Sequence, residues 1–251
     1  MGINPVCSVI IPAYRCEAYI EDCIDSVQKQ TVNALEILVI DDDSPDNMAQ
    51  IVKKMALQDK RIRYIKLEKN LGAAEARNRG AFEARSEWIA FLDSDDMWFP
   101  TKIEKQLNLQ KKTDAELIYT GAQCIDDNGK LLNSYFHVPN TVTYKKMLCG
   151  NDIICSSVLL RRDVFLHYTM ERSDLHEDYI TWLKILRNGY SAVGLQEPLV
   201  YYRLSKNSKS RCKLKSAIMT WKTYKHINIP YAARCAYFIA YTIHGIRRYW
   251  L

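Results

Sequence analysis

Over the first hundred residues, short unbroken apolar runs alternate with longer stretches of helical period. Val6 to Ile11 is one such run, closed by Pro12-Ala13-Tyr14-Arg15. A run of that length and texture fits a strand buried on both faces. Residues 16 to 29 then place Tyr19, Ile20, Cys23, Ile24 and Val27 on one side, the spacing of an amphipathic helix. Leu35 to Ile40 predicts a second buried strand and residues 46 to 58 a second helix. Arg61 to Leu67 alternates basic and apolar positions, the pattern of a strand nearer an edge. Asn70-Leu71-Gly72 turns into a helix over 73 to 84, and Trp88 to Leu92 predicts a fourth strand. Pro100 suits the first turn of a further helix over 100 to 112. The order β-α-β-α-β-α-β predicts an α/β protein with a parallel, doubly wound sheet and right-handed crossovers.

The second half is less regular. Leu117 to Gly121 predicts a strand, and Asp126-Asp127-Asn128-Gly129 a hairpin turn joining Cys124-Ile125 to Leu131-Leu132. Residues 133 to 152 lack a clean period and suit a mobile loop at the acceptor side. Ile153 to Leu160 is strand-like, Arg161-Arg162-Asp163 opens a short helix, and Leu175 to Leu186 has helical spacing with acids in its first turn. Glu197 to Arg203 predicts a last strand. From Arg211 onward, two helical stretches break near Pro230. The second puts Ala236, Ile239, Ile243, Ile246 and Trp250 on one face and Arg234, Tyr237, Tyr241, His244 and Arg248 on the other.

Charge sharpens the division of the chain. From Arg203 to Leu251 there are eleven Lys or Arg and no Asp or Glu, which leaves 24 basic against 29 acidic groups before it. A mildly acidic body, residues 1–205 (1–100 a nucleotide-binding half, 101–205 an acceptor half), thus carries a basic helical tail over 206–251. Cationic, aromatic-rich and amphipathic, the tail fits an interfacial helix on an anionic membrane surface; a helix packed on the body fits equally. The eight cysteines form no Cys-x-x-Cys pair and are read as reduced thiols, with neither disulfides nor a zinc site. Met1 to Pro5 has no signal-peptide character, and no apolar run reaches the ~20 residues of a spanning helix. Together these features place the protein in the cytoplasm, peripheral on the inner face of the cell membrane.

Candidate chemistry gathers at strand ends. Leu92-Asp93-Ser94-Asp95-Asp96 and Asp41-Asp42-Asp43-Ser44 both follow apolar strands. Open α/β sheets bind ligands at that rim. In extended backbone Asp93 and Asp95 point the same way, so the pair can hold a hard divalent cation through oxygen. A solvated acidic turn capping the next helix would look the same. Tyr14 and Arg77 reach the same rim, and an aromatic, a carboxylate, a guanidinium and an acid pair suit a nucleotide diphosphate. No glycine-rich phosphate loop occurs, which makes a bound metal more necessary.

Ser8-Val9-Ile10-Ile11-Pro12-Ala13-Tyr14, Val39-Ile40-Asp41-Asp42-Asp43-Ser44, Asn70-Leu71-Gly72 with Ala76-Arg77-Asn78, and Leu92 to Asp96 closely resemble family 2 glycosyltransferases. The resemblance implies a GT-A-like fold and an inverting transfer from a nucleotide-diphosphate sugar, most simply a UDP-sugar. It implies that Pro12, Ala13 and Tyr14 line the nucleoside pocket, that Asp42 holds uracil, that Arg77 flanks the nucleotide and that Asp93 approaches the ribose. Asp95 would be the direct ligand of Mn²⁺ or Mg²⁺, with Asp93 beside it. Arg15 stands where the family usually has Asn, and Asp43 where it usually has Gly, so which aspartate of the triplet meets the base stays open.

Glu177-Asp178 has an ordinary reading as acids at a helix N-terminus. In the family a Glu-Asp here supplies the general base, which carries over to Asp178 with Glu177 beside it. The helix dipole would lower the pKa of Asp178 and weaken it as a base unless burial offsets it. His176, adjacent, fits a structural role more simply. Some members place a His two residues beyond the Arg of the last strand; Ser205 occupies that place, so no second metal ligand is assigned. Lys206 to Arg211 fits a loop over the diphosphate or a solvated linker. The resemblance extends to bacterial O-antigen, capsule, lipopolysaccharide and teichuronic acid enzymes, which implies a polyprenyl-diphosphate saccharide as acceptor and no nucleic acid. Two other readings stand beside it. A sugar nucleotidyltransferase would need a glycine- and arginine-rich loop after the first strand, which Pro12 to Arg15 does not offer. A membrane or nucleic-acid-binding module would need no intact acid set.

Overall fold

A computed structural model describes residues 4–171, 174–204 and 213–250, the side chains of 213–215 and 246–250 excepted. The apolar runs pair as one mixed sheet. β1 (Cys7–Ala13) lies parallel to β2 (Leu35–Asp41) and β4 (Trp88–Phe91), and β3 (Ile62–Lys66) forms the edge beyond β2. The run of adjacent parallel strands expected of the sheet resides in this half, and one further parallel pair lies beyond it. β1 extends past its apolar run through Pro12 and Ala13, because Pro12 pairs in register with Ile40 and Ala13 with Asp41.

The remaining strands are β5 (Met97–Trp98), β6 (Leu117–Ile125), β7 (Leu131–Phe136), β8 (Leu159–Arg161) and β9 (Ala192–Arg203). The strand order is β3-β2-β1-β4-β8-β6-β9-β5, with β7 paired to β6. β8 is antiparallel to both β4 and β6, β9 is parallel to β6, and β5 is antiparallel to β9. The predicted hairpin forms, with Ile125 opposite Leu131.

Each strand alternates its side chains between two apolar layers. Val9 and Ile11 pack with helices α1 (Ile20–Gln28), α2 (Met48–Gln58) and α4 (Lys102–Thr113), while Ile10 packs on the other side. There it meets α3 (Ala73–Glu83), α5 (Tyr144–Cys149), α6 (Arg162–His167), α7 (Glu177–Arg187) and α8 (Lys213–His226). Gly80 permits α3 to sit close on β1: a Cβ there would lie 2.4 Å from Cγ2 of Ile10.

Residues 133 to 152 are not a structureless loop. They hold the end of β7 and α5, whose Thr143 cap accepts from the Lys146 amide, and Val138, Val142, Met147 and Leu148 are buried. Within 153 to 160 only Leu159 and Leu160 are strand; Cys155–Ser157 form a 3₁₀ turn that delivers Ser156 to the site.

The tail breaks near Pro230 as expected, into α8 and α9 (Tyr231–Trp250). It is part of the packed body. Tyr224 is fully buried in the layer that holds Trp182, and its hydroxyl donates to Leu148 O at 2.5 Å. On α9 the aromatic face is the docked one. Tyr241 meets Tyr179 with ring centroids 5.9 Å apart, and His244 Nε2 lies 3.3 Å from Asp152. The apolar stripe Ala236, Ile239 and Ile243 points outward, Ile239 60% and Ile243 47% exposed. Among the described residues no helix is long and apolar enough to cross a membrane. The seven described cysteines form no disulfide with one another.

Candidate active site

The carboxyl ends of β1 and β2 meet a loop that opens α3, and backbone hydrogen bonds divide the work of the aspartate triplet. Asp41 accepts from the Ser44 amide at 2.7 Å and from the Tyr64 hydroxyl. Asp42 accepts from the amides of Leu71 at 2.7 Å and Gly72 at 2.8 Å, and its own amide donates to Ala13 O. Asp42 therefore joins Ala13 to the Asn70-Leu71-Gly72 turn, where Gly72 holds φ +89°. A carboxylate has about four lone-pair sites, so Asp42 retains acceptor capacity after these two bonds. Asp43 leaves the group: it pairs with Lys66 at 3.0 Å, outward on β3.

Asp43 and Arg15 both have left-handed backbone, φ 56° and 51°. Asn and Gly, the residues usual at these two positions in the family, are the ones that accept that conformation readily. The two departures thus both fall where the backbone is left-handed. Arg15 stays tied to the rim through its amide, 2.8 Å from Ser44 Oγ, and its guanidinium lies 5.4 Å from the ring centre of Tyr14. Tyr14 is 42% exposed beside buried Pro12 and Ala13, as a stacking surface requires.

Arg77, buried on α3, connects two parts of the chain that are far apart in sequence. One terminal nitrogen donates to Asp93 at 2.6 Å and the other to Glu177 at 3.3 Å. Among the described residues its Nε has no hydrogen-bond partner. The neighbouring Asn78 clasps Met170 through both backbone groups, at 2.8 and 2.9 Å, and so fixes the approach to α7. The acid strand end and the Glu177-Asp178 turn are thereby brought together.

The three acids after β4 have different environments. Asp96 is buried and structural, accepting from Ser156 Oγ at 2.6 Å and the Arg203 amide at 2.9 Å. Asp93 donates its amide to the same Ser156 hydroxyl. Asp95 is held through its carbonyl by Arg203 Nε at 2.7 Å, and among the described residues no side chain donates to its carboxylate. Burial, then the charge of Asp93, pushes Asp95 up to about 6. A buried carboxylate raised in this way beside a second one, with no side-chain donor on it among the described residues, fits a positive ion. Among the described residues no cluster of three or more metal-type side chains forms. The residues therefore fit a cation that takes one or two carboxylates from the protein and its other ligands from phosphate and water.

Asp178 accepts from the Tyr179 amide at 2.7 Å, yet burial and then Glu177 push it up to about 6. Desolvation thus outweighs the helix N-terminus that was expected to weaken it as a base. His176 contacts Ser216 on α8 at 3.3 Å, a structural tie between the Glu177-Asp178 turn and the tail. Ser205 and Lys206 to Arg211 lie outside the described residues. Three contributors carried no functional assignment in the sequence: Ser156, Asn78 and Arg203. Asn78 and Arg203 stood inside recognisable segments, whereas Ser156 had no local signal.

A family profile described as Glycosyl transferase family 2 matches residues 8–169. The chain is 34% identical over 246 residues to the putative teichuronic acid biosynthesis glycosyltransferase TuaG of Bacillus subtilis, covering 98% of each. It is 35% identical over 244 residues to the Escherichia coli UDP-Glc:alpha-D-GlcNAc-diphosphoundecaprenol beta-1,3-glucosyltransferase WfgD, covering 96% of this chain and 94% of that one. Its fold matches the Pyrobaculum calidifontis mannosyltransferase PcManGT, solved with GDP-Man and Mn²⁺, with TM-score 0.71 at 17% identity over 95% of this chain and 69% of that one.

Proposed function

The chain belongs to glycosyl transferase family 2 and has the GT-A fold, and from that premise we propose an inverting, metal-dependent hexosyl transfer. The donor is a UDP-sugar and the acceptor a hydroxyl of a polyprenyl-diphosphate saccharide, in bacterial surface polysaccharide synthesis. The observation that carries this reading is the double ion pair of Arg77, which sets the Asp93-Asp95 strand end against Glu177-Asp178. Pro12, Ala13 and Tyr14 line the nucleoside side, and Asp42 accepts from the uracil N3–H with the capacity left by Leu71 and Gly72. Asp93 meets the ribose. Asp95, with Asp93, holds Mn²⁺ or Mg²⁺, and that ion neutralises charge on the leaving diphosphate when bound.

Asp178 takes the proton of the acceptor hydroxyl as its oxygen bonds the anomeric carbon and the carbon–diphosphate bond breaks. A base raised to about 6 is ionised at neutral pH and stronger than an ordinary aspartate. Glu177 fixes the turn through Arg77. The acceptor assignment is supported by likeness to WfgD, whose name states such an acceptor. The outward stripe of α9 and the ten Lys or Arg residues of the tail support an anionic membrane surface as the place of work, on the cytoplasmic side. The test is UDP release from a panel of UDP-sugars with a lipid-diphosphate GlcNAc acceptor, with Mn²⁺ or with EDTA, in wild type and Asp95→Ala. One donor turning over, with metal and not in Asp95→Ala, is expected. Turnover undiminished in EDTA would remove the metal from the proposal.

A further inference from the structure

A second group of ionisable side chains lies outside the strand-end site. A cavity of about 240 Å³ sits between α5, α7 and the turn joining α8 to α9. Tyr144, Glu171, Lys184, Arg187, His226 and Asn228 line it. Lys184 Nζ reaches Glu171 at 2.6 Å, and His226 Nε2 lies 3.0 Å from the same carboxylate. These bonds, Lys184 first, hold the Glu171 carboxyl below its usual range. Arg187 lines the same space and donates to Ile227 O at 3.3 Å, and it has no carboxylate partner among the described residues. Burial pushes the Tyr144 phenol up, so it stays a neutral O–H donor.

An ion-pair network that only fastened α7 to the tail would match its charges and close its space. Here one carboxylate is bonded to an ammonium and an imidazole while a guanidinium shares the lining, and the cavity has room for several water-sized groups at roughly 30 Å³ each. Glu171 is itself half-exposed and able to swing outward. A tetrahedral phosphoryl group is the anion that this set recognises. A guanidinium binds two of its oxygens in parallel, and an ammonium supplies a point charge.

We infer that the cavity between α5, α7 and the α8–α9 turn binds a phosphoryl anion, with Arg187, Lys184 and His226 as donors and Glu171 as the carboxylate it displaces. The inference does not depend on the donor or acceptor assigned to the strand-end site. Lys184 is seven residues beyond Glu177, about 10 Å along the helix. The phosphoryl group belongs either to a lipid headgroup or to a soluble phosphate.

The test follows the imidazole resonance of His226 in the full chain, assigned by its loss in His226→Gln. It is titrated with inorganic phosphate, with dihexanoyl phosphatidylglycerol as monomer, and with sodium chloride at matched ionic strength. A saturable displacement by a phosphoryl ligand and not by chloride is expected. It should weaken about tenfold in Arg187→Ala and strengthen about tenfold in Glu171→Gln, where the competing charge is gone. Tighter binding of the lipid than of phosphate assigns a headgroup, and the reverse assigns a soluble phosphate. Displacement no larger than that by chloride, or weakened in Glu171→Gln, would overturn the site and leave an ion-pair network.

Discussion

Arg15 and Asp43 carry side chains where the backbone turns left-handed, at φ 51° and 56°. For an ordinary L-residue that conformation costs about 1–2 kcal/mol, and Asn tolerates it better. Arg15→Asn is therefore expected to stabilise the protein by about 0.5–1 kcal/mol, read as a higher denaturant midpoint at constant slope; an unchanged midpoint would contradict the strain. Asp178 offers a second residue-scale prediction. A base must be deprotonated to act, and Asp178 titrates near 6, so kcat/KM should rise with pH to a plateau above that value. Glu177→Gln removes the neighbouring negative charge that helps to raise Asp178. The acid limb of the pH–rate profile should then move to lower pH, and a limb that stays in place would show that Glu177 does not tune the base.

At the scale of elements, α3 is the part on which the site depends. Its close seat on β1 requires Gly80, and from that seat Arg77 reaches both Asp93 and Glu177. Gly80→Ala would push against Ile10 from 2.4 Å, where one side or the other must shift. A loss of about 1–3 kcal/mol is expected, together with weaker UDP binding by calorimetry; unchanged binding would show that α3 does not set the position of Arg77. The parallel half was legible because each strand and its crossover helix are neighbours in sequence and carry their own period. The other half was not. β5 has two residues and β8 three, too few to show a period, and β6 pairs with β9 across a long stretch of intervening chain that no local pattern spans. The acid clusters were visible in the same local way. Their division of labour was not, because Asp42 is defined by the amides of Leu71 and Gly72, and Asp96 by Ser156 and Arg203.

The whole molecule is organised so that the tail touches the catalytic turn. His176 meets Ser216, and Tyr179, next to Asp178, packs against Tyr224 and Tyr241. The two faces of α9 were legible as a period, but both are amphipathic, and only packing decides which one docks. With the tyrosines inward, Ile239 and Ile243 are left exposed, the stripe on which the proposed membrane contact rests. Ile239→Asp with Ile243→Asp should reduce sedimentation with phosphatidylglycerol vesicles at least tenfold while leaving UDP binding unchanged. Vesicle binding that survives the pair would place the contact elsewhere on the tail.

Asp178, set against the Asp93-Asp95 strand end by Arg77, is the proposed base of the transfer. The most direct measurement compares single-turnover transfer and UDP affinity in wild type and Asp178→Asn, a change of charge at nearly constant shape. A fall in the transfer rate of about 10²–10⁴-fold is expected, with UDP affinity kept within about twofold. Transfer within a few-fold of wild type would contradict it and require another group to take the acceptor's proton.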